Sequence, residues 1–345
     1  MPIVLQLPAV DAEPHGRPQQ CPFCGSPTLQ RWGSVRKTVR DQSYRSVLAY
    51  RYRCPRCGHT FRDYPSGVDR ADQTQRLRKL AALLCALGLS VRGVSAVLAV
   101  FGVQLNRMTA WRDLQEQAAL LTQRRSIRSV RVLGVDGVYV KRGGQTRGVV
   151  VAVDMGDGQP VAVAELDERD AQAVGAWLKP LVARLGVRVV VTDDLAGYRG
   201  AAEQSGVVRQ VCWFHVQRWV RRRLNELRPR VAERWREVVE ETQRAVDELA
   251  ADGKRRLFEL WQQLPGRQSE QGDEALMRLR DLVLRLSEDW EGFRVFRWAE
   301  GVPKTNNRTE QAIGRMQMRA RTVRGYKSLK GMLAGLMLSG CGSAW

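Results

Sequence analysis

The sequence predicts an α/β body preceded by two small modules, one β-rich and cysteine-bearing, the other helical. Three observations carry this. Two runs rich in β-branched residues, Val130–Asp136 and Val187–Thr192, read as buried strands, and each delivers a carboxylate, Asp136 and Asp193. Between and after them, alternating and helical patterns give the order β-β-β-α-β-α-β. Ahead of them lie a pair of Cys-x-x-Cys knuckles and then a stretch of 3–4 hydrophobic periodicity.

In chain order, residues 1–20 contain four prolines and little apolar content beyond residue 10, which predicts a flexible lead-in. Residues 21–66 form the first module. Cys21, Cys24, Cys54 and Cys57 fall in two Cys-x-x-Cys-Gly turns, and four thiolates make a closed tetrahedral site for one structural Zn²⁺. Leu29–Trp32 and Val47–Tyr52 suit the arms of a hairpin between the knuckles.

Residues 67–125 turn helical. Leu77, Leu80, Ala81, Leu84 and Leu87 share one face, Ser90 is a good N-cap for the next helix, and a third helix follows Asn106. Helix, short turn, helix is the helix-turn-helix layout. Its second helix would present Arg107, Met108 and Arg112 to DNA.

The α/β body spans 126–345. Val138–Lys141 either continues the first strand or begins the next. Thr146–Asp154 and Gln159–Leu166 flank a hairpin turn at Met155–Gly158. Asp170–Leu185 is an amphipathic helix ended by Gly186; a short helix near Gly197–Gln204 precedes a last strand, Val207–Val211. Right-handed crossover lays the fourth strand parallel to the first, so Asp136 and Asp193 become neighbours if those strands do. An all-helical insertion covers about 213–300 and holds six of the ten tryptophans. Most of those six are expected in its core, with one or two free to stack on bases. A final helix starts beyond Pro303, with Asn306 and Asn307 one turn before Glu310 and on its face. After Glu310 no acid follows, while Arg315, Arg319, Arg321 and Lys327 form a cationic stripe suited to a phosphate path.

Charge points the same way. With 56 Lys+Arg against 36 Asp+Glu, the net charge is +20, which favours a polyanion as partner. Apolar runs are too short to span a membrane, no secretory leader is expected, and the cysteine pairing suits a reducing cytosol. Three carboxylates on separate elements, Asp136, Asp193 and Glu310, would repel one another unless they share hard cations such as Mg²⁺. Asp194 competes with Asp193 as the second ligand, with Asp193 preferred.

These residues resemble the DDE transposases of bacterial insertion sequences. The resemblance rests on the order Asp136, Asp193, Glu310, on Tyr198 five residues after Asp193, on Cys212-Trp-Phe-His215 after the last strand, and on Asn-Asn-x-x-Glu at 306–310. It implies an RNase H-like mixed five-stranded sheet with the all-α insertion. It also implies two Mg²⁺ (or Mn²⁺) ions held by the three acids, with Cys212 and His215 accessory. The partners would be the terminal inverted repeats and target DNA, bound by a homodimer in a cytoplasmic, nucleoid-associated setting. A non-catalytic DNA-binding regulator and a nuclease or resolvase without strand transfer are the alternatives.

Overall fold

The computed structural model describes residues 7–266 and 273–341. They divide into two compact units. The first holds the chain up to Arg124, the Lys141–Gln145 hairpin tip and the segment from Arg315 onward; the second holds Arg125–Val140 and Thr146–Gly314.

In the first unit, β1 (Gln30–Thr38), β2 (Ser46–Arg53) and β3 (Thr60–Asp63) form an antiparallel sheet in that order. The β1 and β2 arms exceed the expected ones because Arg36 and Lys37 still pair with Leu48 and Val47. Of the expected flexible lead-in, residues 1–6 lie outside the described part. The rest is not detached. Val10 is buried with Val39, Val47 and Val68, and the Leu48 amide donates to Ala12 O at 2.8 Å, so this stretch of backbone is tied down.

The helices follow the expected pattern. α1 (Gln75–Ala86) starts at Thr74, whose hydroxyl accepts from the Leu77 amide. α2 (Val91–Val100) starts at Ser90, which accepts from Gly93 N at 3.1 Å. α3 (Arg107–Ser126) starts after Asn106, whose Oδ1 accepts from Met108 N at 2.9 Å.

The second unit is built on a mixed five-stranded sheet. β4 (Val132–Arg142), β5 (Gln145–Asp154), β6 (Gln159–Ala164), β7 (Val189–Thr192) and β8 (Val208–Val211) lie in the order β6-β5-β4-β7-β8. The Val138–Lys141 stretch therefore continues the first strand. β5 and β6 are antiparallel, whereas β4–β7 and β7–β8 are parallel. α4 (Ala171–Leu185) and α5 (Ala196–Ser205) make the crossovers. They bury Val174, Leu178, Leu185, Tyr198 and Ala201 with Leu133, Val135, Val150 and Val190 of the sheet. α4 ends at Gly186 in the left-handed conformation, φ 70°, which lets the chain reverse into β7.

The insertion comprises α6 (Trp213–Leu227), α7 (Arg236–Glu248), α8 (Gly253–Gln263), α9 (Glu274–Glu288), and two short turns, α10 (Trp290–Phe293) and α11 (Val295–Trp298). Its core is continuous with the sheet through Val211 and contains Trp213, Val220, Leu224, Leu257, Leu279 and Trp290. Trp298 is the outward-facing tryptophan of this region, 59% exposed. α12 (Asn307–Thr322) follows, its first half in this unit. Its second half lies in the first unit, where α13 (Leu329–Gly340) packs on α1.

Candidate functional site

Strand pairing brings two acids to one sheet edge. β4 and β7 run parallel with Gly134 opposite Val191, and two residues beyond that pair on each strand stand Asp136 and Asp193. The ends of parallel strands are where α/β sheets present ligand-binding groups. Asp136 accepts one hydrogen bond, from the Gly137 amide at 2.8 Å. Burial pushes its carboxyl up to about 7, with further contributions from the charges of Asp193 and Glu168. Asp193 is held by the chain around it: its Oδ1 accepts from Leu195 N at 3.1 Å, and its carbonyl accepts from Arg209 at 2.7 Å. Asp194 is engaged differently, accepting from the Arg285 guanidinium of α9 at 2.6 Å.

Glu168 is a third carboxylate at this edge, one that sequence reasoning missed. It lies in the polar loop before α4, where an acid reads as solvated surface. The hydroxyl of Tyr198 donates to its Oε2 at 3.1 Å. Its carboxylate also covers Gly137, the residue after Asp136: a Cβ there would come within 1.9 Å of Glu168 Oε2. Burial and the charge of Asp193 raise its pKa. The only signal in the sequence was Tyr198, a buried phenol that needs an acceptor.

Glu310 arrives from α12, which is seated on β4 by the residues just before it. Asn306 is fully buried, and its Nδ2 donates to Val135 O at 3.3 Å. Gly134 makes this approach possible, because a Cβ there would come within 2.0 Å of Thr309 Oγ1 and 2.8 Å of Asn306 Oδ1. Asn307 is exposed at the first position of α12, while Asn306, just before the helix, is buried.

Cys212 and His215 complete the site. Cys212 is buried at the start of α6; its amide donates to Thr192 O at 2.7 Å, and its Sγ accepts from Asn306 N at 3.3 Å. His215 lies one turn on, with Nδ1 3.9 Å from Glu310 Oε1. The adjoining Cys212 side chain, then the charges of Glu310 and Asp193, raise the imidazole to about 9. Cys212, His215 and Glu310 each bring one ligand atom within 4.8 Å of the others. Among the described residues, Asp136, Asp193 and Glu310 do not form a mutual cluster at that distance; the charge of His215 acts on Asp136, and those of Glu310 and Asp193 act on His215.

In the first unit, the four cysteines do converge. Cys21 and Cys57 sulfurs are 3.7 Å apart, Cys24 and Cys54 sulfurs 3.6 Å, and all four lie within 4.8 Å. The two knuckles repeat one turn, Gly25 N to Cys21 O and Gly58 N to Cys54 O, both at 2.9 Å. This cluster can hold a structural zinc ion.

Arg107, Met108 and Arg112 are exposed on α3, and Arg321 and Lys327 are exposed beyond Glu310. The expected cationic stripe loses two members. Arg315 donates to Gly340 O at 2.9 Å and Arg319, 4% exposed, to Leu89 O at 2.9 Å. A guanidinium spent on backbone carbonyls serves packing rather than a phosphate surface.

The protein-family model for the Transposase IS66 family matches residues 74–334. The chain belongs to that family. No curated protein matches it individually. The match to the insertion-sequence transposase begins at Thr74, the cap of α1, and ends within α13, so it contains Asp136, Asp193, Cys212, His215 and Glu310 but not the four-cysteine cluster. Among the described residues of the transposase, no helix is long and apolar enough to cross a membrane.

Proposed function

We propose that this transposase cuts and joins DNA at the ends of an insertion sequence, using Asp136, Asp193 and Glu310 to hold two Mg²⁺ ions. The observation that carries the reading is the pair of acids two residues past one register point on adjacent parallel strands. The strand order, with three antiparallel strands and then two parallel ones, supports an RNase H-like catalytic domain.

The residues fit a cation. Glu310 Oε1 and Asn306 Oδ1 are buried without a hydrogen-bond partner, and Asp136 is raised by burial and, beyond that, by the neighbouring acids Asp193 and Glu168. A hard divalent ion relieves all of these at once. When bound, a pair of such ions lowers the barrier to in-line phosphoryl transfer by stabilising charge on the entering and leaving oxygens.

The chain's own contribution is placement. Val135, buried within β4, and Thr192, the last residue of β7, fix the two aspartates that follow them. Asn306 pins α12 to β4 and so fixes Glu310, while Tyr198 holds Glu168 against the Asp136 turn. Water attacks a phosphodiester at the element's end, the P–O3′ bond breaks, and the freed 3′-hydroxyl then attacks target DNA at the same site. α3, with Arg107, Met108 and Arg112 outward, serves as the recognition helix for terminal repeats, beside a zinc-loaded four-cysteine module. Synapsis of two ends calls for a homodimer.

The test is incubation with Mg²⁺ and DNA carrying the element's terminal repeats. Metal-dependent strand cleavage followed by joining is expected. Retained repeat binding without any cleavage would favour a DNA-binding regulator, and nicking without joining a nuclease or resolvase.

A further inference from the structure

We propose that Cys212, His215 and Glu310 form a binding site for a borderline-soft divalent ion of the zinc class, distinct in ligand chemistry from the Mg²⁺ site with which it shares Glu310. The three come from the start of α6, its next turn and the first turn of α12, elements far apart in sequence. Their ligand atoms nevertheless lie within 4.8 Å of one another. A thiolate, an imidazole and a carboxylate are the donor set that zinc takes in three-ligand sites with an open fourth position. Hard ions such as Mg²⁺ do not select sulfur.

Two further observations point to an ion. His215 Nδ1 and Glu310 Oε1 are both buried atoms with no hydrogen-bond partner, and they face each other at 3.9 Å, too far for a bond but apt for a shared cation. The sulfur, in turn, already has the outer-shell support that metal ligands need: the Asn306 amide donates to it, and it stands at the N-terminus of 15-residue α6, where the helix dipole favours negative charge. An ion captured here withdraws Glu310 from the acid site, so zinc should inhibit Mg²⁺-dependent cleavage. That consequence rests on the transposition chemistry proposed above; ion binding itself does not.

The experiment uses the full chain with its four-cysteine module zinc-loaded, dialysed free of excess metal and titrated with Co²⁺. Expected is a thiolate-to-cobalt charge-transfer band saturating near one equivalent, bleached by added Zn²⁺. Cys212→Ser should abolish it, and Cys21→Ser should not. Should Cys212→Ser fail to fold, His215→Gln and Glu310→Gln, at half-exposed positions, carry the test. Each must weaken Co²⁺ binding by more than the roughly 10–100-fold that outer-shell changes cost. Absence of the band in the parent chain, or its survival unchanged in all three variants, overturns the proposal. Asp136→Asn separates the two readings: the band should persist there although cleavage is lost. A band in a parent chain that shows no Mg²⁺-dependent cleavage would leave the ion site standing and remove the chemistry.

Discussion

Asp41 in the first unit and Asp136 in the second are carboxylates that the fold treats in opposite ways. Asp41 is fully buried, and burial alone would raise its pKa. Arg76, the Thr74 hydroxyl at 2.6 Å and the Ser43 amide at 2.8 Å instead bring it down to about 2. Asp136 receives one amide and two neighbouring acids, and it rises to about 7. The first carboxylate is satisfied by the protein and ties the loop after β1 to the start of α1. The second is left without such compensation, which suits the cation-binding role proposed for it. Burial does not distinguish a structural acid from a functional one; the company it keeps does.

The contrast can be broken by substitution. Asp136→Asn should lower Mg²⁺-dependent cleavage about a thousandfold, since metal ligation contributes several kcal/mol of barrier lowering. In metal-free buffer it should stabilise the fold by about 1 kcal/mol, because a buried charge, and with it the repulsion from Asp193 and Glu168, is removed. Gel-based cleavage and urea denaturation report the two effects; a destabilised Asp136→Asn would make the two acids alike. Asp41→Asn should do the reverse and cost about 3 kcal/mol in urea denaturation, because Arg76 is left half-buried without its anion.

Acid sharpens the same difference. Asp41 is ionised in the folded state down to about 2, below its ordinary 3.8. Its contribution, about 2 kcal/mol, is therefore complete above the ordinary value and lost as pH falls through about 2. Denaturation midpoints followed from pH 5 to pH 2 should fall more steeply in the parent chain than in Asp41→Asn; parallel curves would refute the pairing.

Smaller effects test the neighbours. Tyr198→Phe frees Glu168 and should slow cleavage about tenfold, the scale of outer-shell losses at metal sites, with stability little changed. Arg321→Ala should reduce the slope of log affinity against log salt by about 1, as one phosphate contact would. Arg319→Ala should leave that slope alone and lower the thermal midpoint, because it breaks the bond to Leu89 O.

The agreement between sequence and structure follows the range of the interactions involved. Strands Val189–Thr192 and Val208–Val211, the Ser90 cap and the Gly186 stop are set by residues within a few positions, and all could be read from the chain. The four-cysteine convergence was legible because each knuckle is a local turn that repeats. By contrast, Asn306 and Asn307 are adjacent and chemically identical, and nothing nearby says which one packs against β4. The same holds for the arginines after Glu310: helical spacing marks a stripe, but only the carbonyls of Leu89 and Gly340 decide which members turn inward.

What the sequence determined alone was the family's order of elements, the two strands that position Asp136 and Asp193, though not that the first runs on past Asp136 to Arg142, and the zinc-compatible spacing, because periodicity, capping and turn chemistry act over short stretches of chain. Tertiary structure decided that Glu168 joins the acids, that Asp194 is taken by Arg285, and that Cys212, His215 and Glu310 meet. Those outcomes depend on which carbonyls, amides and glycine-sized gaps are left over once the sheet and helices have packed, and that remainder is fixed only when distant segments come together.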